Sequence, residues 1–218
     1  MMNRLHQKIN KFTTKVFSFI PKKGTQAGMS YVELIVVLGI FAALTSVIMF
    51  NYGEFGDRIE IKNLASDIGF QILEAQKNAL AGRWHASAPA CVSSDPSTCW
   101  KPAYGVYFNT AVDNKSFNYF VDTNNSNSCA DSSCTGELIS NLSIKKGNYI
   151  SSLNVVGTGT CGTATRLSVV FTRPDSNASF DSDLGACTAI TEININITSP
   201  KGKTSFVRVF DFGKIRIP

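Results

Sequence analysis

The pattern of apolar and polar positions changes three times along the chain. From Met29 to Phe50 the residues are predominantly apolar, and the only charge is Glu33. As a helix rising 1.5 Å per residue this stretch would measure about 33 Å, enough to cross the hydrocarbon core of a bilayer. Apolar residues then recur at three- and four-residue steps: Ile61, Leu64, Ile68, Ile72, Ala75 and Ala79. Glu60, Lys62, Asn63, Asp67, Glu74 and Lys77 fall between them. That spacing predicts an amphipathic helix ending near Gly82. Gly53 and Gly56 lie between the two stretches, and each weakens a helix by about 1 kcal/mol relative to alanine. They predict a flexible or partly melted segment there.

From Ala103 onward the period is two. Tyr104–Asn109 and Ser116–Val121 read as a hairpin. Further strands are predicted at Glu137–Ile144, Tyr149–Val156, Arg166–Thr172, Thr188–Thr198 and Thr204–Phe210, with a last one at Lys214–Ile217. Gly, Ser, Thr and Asn clusters separate them. Antiparallel strands with one buried face fit this alternation. The fold class expected is α+β, a long N-terminal helix whose second half packs on an antiparallel β-sheet.

Charge sharpens the picture. The chain carries a formal net charge of +5. Arg4, Lys8, Lys11, Lys15, Lys22 and Lys23 precede the apolar run, with no acid among them. Without them 15 basic residues face 16 acidic ones, a charge of −1. The basic excess therefore bears on membrane orientation and by itself says nothing about nucleic acid. Phe12, Val16, Phe17, Phe19 and Ile20, interspersed with lysine, read either as a short amphipathic surface helix or as part of a solvated basic tail. A carboxylate inside an apolar span costs roughly 2.5–3.5 kcal/mol on insertion scales, so Glu33 calls for a partner or a function.

The combination of a basic leader, Lys-Lys-Gly-Thr-Gln-Ala-Gly28, then Met29-Ser-Tyr-Val-Glu33 and an apolar run resembles the N-terminal signature of type IV pilins and type II secretion pseudopilins. The resemblance implies cleavage between Gly28 and Met29 by a prepilin peptidase, and methylation of the new amine of Met29. It gives Glu33 an assembly role, its carboxylate pairing with that amine within a subunit or between neighbours. The alternative is a glutamate that reaches the headgroup layer. Met29 stands where phenylalanine is commoner. A cleaved secretory signal would have a shorter apolar core and a small-residue cleavage site, which Phe50-Asn51-Tyr52-Gly53 does not offer. An ordinary single-pass anchor has no need of Glu33.

Within that group the chain is most similar to the H-type (FimT-like) minor pseudopilins. The helix ending Glu74-Ala-Gln-Lys-Asn-Ala-Leu80, the strand Val169–Asp175 and the closing Phe206–Ile217 carry this likeness. The implied organisation is a cytoplasmic leader at 1–28, a long helix at 29–82 with 29–50 in the membrane, and a β-rich extracytoplasmic domain at 83–218. The implied function is that of a structural minor subunit, assembled into a filament that serves protein secretion. Its partners would be other pilin-like subunits, the prepilin peptidase, an inner-membrane assembly platform and membrane lipid. A DNA-binding minor pilin acting in uptake, an adhesive tip subunit and a membrane-anchored periplasmic enzyme are the rivals. No enzyme activity and no cofactor are implied.

Six cysteines, Cys91, Cys99, Cys129, Cys134, Cys161 and Cys187, all follow the apolar run. An even number in an exported domain reads as disulfides. Pairing of sequence neighbours is one of fifteen arrangements. Zinc is the rival, but Cys129 and Cys134 are spaced more widely than a usual zinc pair, and His85 is the only histidine after the leader. His85 has no evident catalytic partner, and no nucleophile-elbow or phosphate-loop motif is present. Asp175, Asn177, Ser179, Asp181 and Asp183 alternate like calcium-loop ligands. Yet Phe180 stands where the turn glycine belongs and Ala186 where the bidentate glutamate belongs, which favours a polar turn. Lys201, Lys203, Arg208, Lys214 and Arg216 form a candidate DNA-binding set, or else the solvated face of two strands. Trp84 and Trp100 are expected to form local core near a disulfide.

Overall fold

A computed structural model describes residues 28–87, 101–129 and 131–218. The chain divides into two compact units at the Phe50/Asn51 boundary. In the first unit the described residues are Gly28–Ser30, in no regular structure, followed by the start of helix α1 (Tyr31–Leu80). The amide of Leu34 donates to the Ser30 carbonyl at 3.1 Å, so Ser30 is the residue on which the helix starts. Every side chain described from Tyr31 to Met49 is exposed. This part of α1 is long and apolar enough to cross a membrane, and none of it is buried against the protein. Its one hydroxyl of note, Thr45, donates back to the Phe41 carbonyl at 2.7 Å. That bond satisfies the hydroxyl within the helix itself.

Among the described residues the second unit joins the remainder of α1 to ten strands: β1 (Ala103–Asn109), β2 (Asp113–Val121), β3 (Leu138–Ser143), β4 (Tyr149–Gly159), β5 (Thr163–Ala164), β6 (Arg166–Thr172), β7 (Ala178–Ser182), β8 (Cys187–Thr198), β9 (Thr204–Phe210) and β10 (Ile215–Arg216). They form two antiparallel sheets, β3-β2-β1-β6-β7 and β10-β9-β8-β4-β5. The arrangement is α+β as expected, but with two sheets where one was anticipated.

One core unites these parts. Ile61, Ala65, Ile68, Ile72, Ala75 and Ala79 of α1 are buried with Val106 and Phe108 of β1, Leu167 and Val169 of β6, Leu153 of β4, and Ile193, Ile195 and Ile197 of β8. Small residues on the buried helix face allow close approach. A Cβ added at Gly69 would meet the end of Ile217 at 2.5 Å. On β4 the alternation appears broken, since Ile150, Leu153 and Val155 are all buried. A register shift between Ile150 and Ser152 explains it. One extra residue returns the following side chains to the core side.

Strands β1 and β6 are buried on both faces, contrary to the single buried face expected. Ala103, Tyr107, Phe120 and Val170 form a second small core with Cys134. The near-continuous apolar runs Ala103–Phe108 and Leu167–Phe171 are the sequence signal for such double burial.

Helix α1 ends where the sequence places its stop. Gly82 has φ +63°, its amide bonds to the Ala79 carbonyl at 3.0 Å, and the Arg83 amide bonds to Asn78 at 3.1 Å. This pair of bonds is the Schellman cap that glycine favours. The melted segment expected around Gly53 and Gly56 is instead helical. Each glycine costs about 1 kcal/mol, and the three exposed ion pairs of Glu54, Asp57 and Glu60 on the neighbouring turns return at most a comparable amount, about 0.2–1 kcal/mol apiece.

Candidate assembly and interaction surfaces

Gly28 and Met29 lie just ahead of the helix and are exposed. Glu33 sits in the first turn of α1, also exposed. Ser30-Tyr-Val-Glu33 has the S-x-x-E pattern of a capping box, and a carboxylate there is favoured by the positive end of the helix dipole. The sequence therefore holds a second, local reason for glutamate at this position, which pattern reading had not used.

Two disulfides are formed among the described residues, Cys129–Cys134 and Cys161–Cys187, with Cα separations of 5.0 and 4.7 Å. The sulfurs of Cys129 and Cys134 are joined to each other, which removes the zinc reading for that pair. Cys91 and Cys99 lie outside the described residues, as does Trp100. Cys129–Cys134 closes the loop over the outer face of β1 and β2, where Cys134 belongs to the small second core. Cys161–Cys187 ties the end of β4 to the start of β8. In a chain-entropy account these closures contribute about 2 and about 3.5 kcal/mol. Trp84 is 59% exposed, so it does not form the local core expected of it. His85 accepts a bond at Nδ1 from the Ser87 amide at 3.2 Å, a local turn contact.

The stretch considered for calcium contains strand β7, which pairs with β6. Asp183 accepts bonds from the Thr165 hydroxyl and from the amides of Thr165 and Arg166. Burial pushes its carboxyl up, but those donors outweigh it and hold the group below the ordinary carboxylate range. Asp181 is raised, mainly by burial. Gln76 of α1 donates to the carbonyls of Ser176 and Gly213, both at 3.0 Å, fastening the loop before β7 and the turn before β10 to the helix. The oxygen-rich segment thus serves strand pairing and turn closure. Among the described residues no group of three His, Cys, Asp or Glu side chains is placed to hold a metal ion.

The five candidate DNA-binding cations are not gathered into one positive face. Lys201 pairs with Asp57 at 2.9 Å and Lys203 with Glu54 at 3.4 Å. Arg208 pairs with Glu192 at 3.2 Å, donates to Asn194 Oδ1 at 2.7 Å and lies 5.5 Å over the Phe206 ring. Lys201 and Lys203 belong to the β8–β9 turn, and Lys214 to the turn at the far end of β9. Seven strand residues between them span roughly 23 Å. Arg216 on β10 is the register partner of Arg208. Lys214 and Arg216 are exposed, and neither makes an ion pair among the described residues.

Pattern reading did not anticipate the partners of the helix acids. Glu54, Asp57 and Glu60 share one side of α1 at three-residue spacing. Each meets a lysine from a distant loop, the third pair being Glu60–Lys146 at 2.7 Å. The opposite, exposed side carries Phe55, Ile59, Phe70, Leu73 and Leu80. The spacing of both sets is visible in the sequence; which loops would approach is not.

No family model matches the chain, and no curated protein or solved structure is significantly similar to it.

Proposed function

We propose that this chain is a membrane-anchored structural subunit of a type IV pilus-like filament, most like a minor pseudopilin or minor pilin. The observation that carries the reading is the bare apolar half of α1. From Tyr31 to Met49 every described side chain is exposed. So much apolar surface requires lipid or other copies of such a helix around it. The exposed apolar residues continue beyond the span to Leu80. A helix that is lipid-covered at first and partner-covered later suits a subunit stored in a membrane and then drawn into a helical bundle.

The residues ahead of the helix support the same reading. A prepilin peptidase would cut between Gly28 and Met29 on the cytoplasmic side, leaving the β-rich domain outside the inner membrane. Disulfides at Cys129–Cys134 and Cys161–Cys187 suit that compartment. The methylated amine of Met29 would then lie about one helical turn from Glu33. Their attraction largely offsets desolvation, so the pair acts as a register device: a subunit is favoured where its amine meets a carboxylate. Ion pairing of Lys201, Lys203 and Arg208 with carboxylates favours this structural role over DNA capture.

Filaments or tip complexes purified from cells carrying Glu33→Ala or Glu33→Gln test the reading. Both variants are expected to insert in the membrane and be processed, yet to reach the filament at about a tenth of the wild-type level or less. That corresponds to about 1.4 kcal/mol of lost pairing. Incorporation of both at the wild-type level sinks the charge-pair mechanism.

A further inference from the structure

The helix turns that follow the apolar run carry charge on two sides. On one side Glu54, Asp57 and Glu60 are matched by Lys203, Lys201 and Lys146. These acids are neutralised within the protein. Arg58 and Lys62, one turn apart, are exposed, and neither forms an ion pair among the described residues. Beside them Phe55 is 63% exposed and Ile59 43% exposed. Together with Lys203 and Thr204, these four side chains line an open groove of about 560 Å³. Two cations without an ion pair among the described residues therefore sit beside the apolar side chains of Phe55, Ile59 and Ile61 in one groove.

We propose that this groove seats an anionic phospholipid. Arg58 and Lys62 would hold its phosphate, and Phe55 and Ile59 would meet the glycerol backbone and the first acyl carbons. The inference rests on reading residues 29–50 as a membrane span. Two observations select this occupant. Phe55 follows Phe50 by only five residues, so the chain keeps it within about 17 Å of the span's end even if fully extended. The groove also pairs positive charge with exposed apolar surface, the combination that suits a lipid headgroup and its upper chains. Free phosphate would gain nothing from Phe55 and Ile59. Pairing of the three acids has a consequence here: an unpaired Glu54, Asp57 or Glu60 would repel the same headgroup that Arg58 and Lys62 attract.

The test uses the full chain reconstituted in vesicles of three parts phosphatidylcholine to one part phosphatidylglycerol. The protein is extracted in mild detergent and weighed with its retained lipid by native mass spectrometry. The expected result is retained phosphatidylglycerol well above its share of the vesicle. Arg58→Gln and Lys62→Gln should each lower that retention about fivefold. Phe55→Ser should lower retention of both lipids, and Lys77→Gln, on an exposed turn outside the groove, should change nothing. Excess inorganic phosphate should leave the lipid bound. Lipid retained in the vesicle's own proportion, charge variants that bind like the wild type, or displacement by phosphate each overturn the proposal. A chain that never enters the vesicles overturns the membrane span itself, a failure distinct from the loss of headgroup preference.

Discussion

The two halves of helix α1 obey the same backbone rules and meet different surroundings. From Tyr31 to Met49 every described side chain is exposed, although nearly all are apolar. From Ile61 to Ala79 a stripe of isoleucine and alanine is buried in one core with strands of both sheets, while charged residues and the exposed Phe70 and Leu73 occupy the other sides. The contrast shows that burial is a property of the finished assembly. The second half finds cover for its main stripe within its own chain, and leaves Phe70, Leu73 and Leu80 exposed on the other side. The first half is exposed at every described side chain and carries almost no polar residues, a composition that suits lipid. Between them, three exposed acid–lysine pairs lie on the helix turns that follow Gly53.

The sharpest way to break this comparison is to make the same kind of deletion in each half. Ile68→Ala should cost the β-rich unit about 2–5 kcal/mol, as expected for a fully buried side chain. Ile40→Ala should leave its unfolding midpoint unchanged, because Ile40 is exposed and belongs to the other unit. Equal effects in a denaturant titration of the detergent-solubilised protein would contradict the division. Removing Cys161–Cys187 by paired serine substitution should destabilise the same unit by about 3.5 kcal/mol on the loop-closure account. Retention in the membrane fraction should not change. Loss of membrane retention would mean that the first half depends on the second for its anchoring.

A smaller effect comes from acid. The carboxyl of Asp183 is held below its ordinary range in the folded protein by donors from Thr165 and Arg166. A depressed carboxylate contributes stability above its unfolded pKa of about 3.9, and that stability is lost as pH falls through the native value. Asp122 and Asp181, raised chiefly by burial, run the other way: between the ordinary and the raised value, acidification favours the fold through them. Thermal midpoints of wild type and Asp183→Asn should therefore converge as pH falls below about 4 and separate above it. A constant gap across that range would show that Asp183 acts without its charge.

Much of this fold was legible in local pattern. The buried stripe of α1 and the stop at Gly82 follow from period and cap chemistry, which depend on neighbours in sequence. So do the main strands, since alternation marks them even before their partners are known. What pattern missed is set by distant segments. The division into two sheets depends on β6 pairing with β1 and β8 with β4, far apart in the chain. Strand β7 hid behind oxygen side chains that suggested a cation loop, and two-residue β5 is too short to show a period. The lysines that meet Glu60 and Glu54 lie 86 and 149 residues away. No spacing rule links them, so the cations of the β8–β9 turn read as free when they are paired. Gly28, Met29 and Glu33 were legible as a motif, and the processing and assembly proposed for them involve an enzyme and neighbouring subunits outside this chain.

The central claim is that this chain is processed and anchored as a filament subunit, and the mature N-terminus tests it most directly. Intact-mass and N-terminal peptide mass spectrometry of the protein isolated from its native membrane should find N-methylated Met29 as the first residue. Replacing Gly28 by a bulky residue should leave the full-length precursor. A mature protein that still begins at Met1, or one cut after Phe50, would contradict the account.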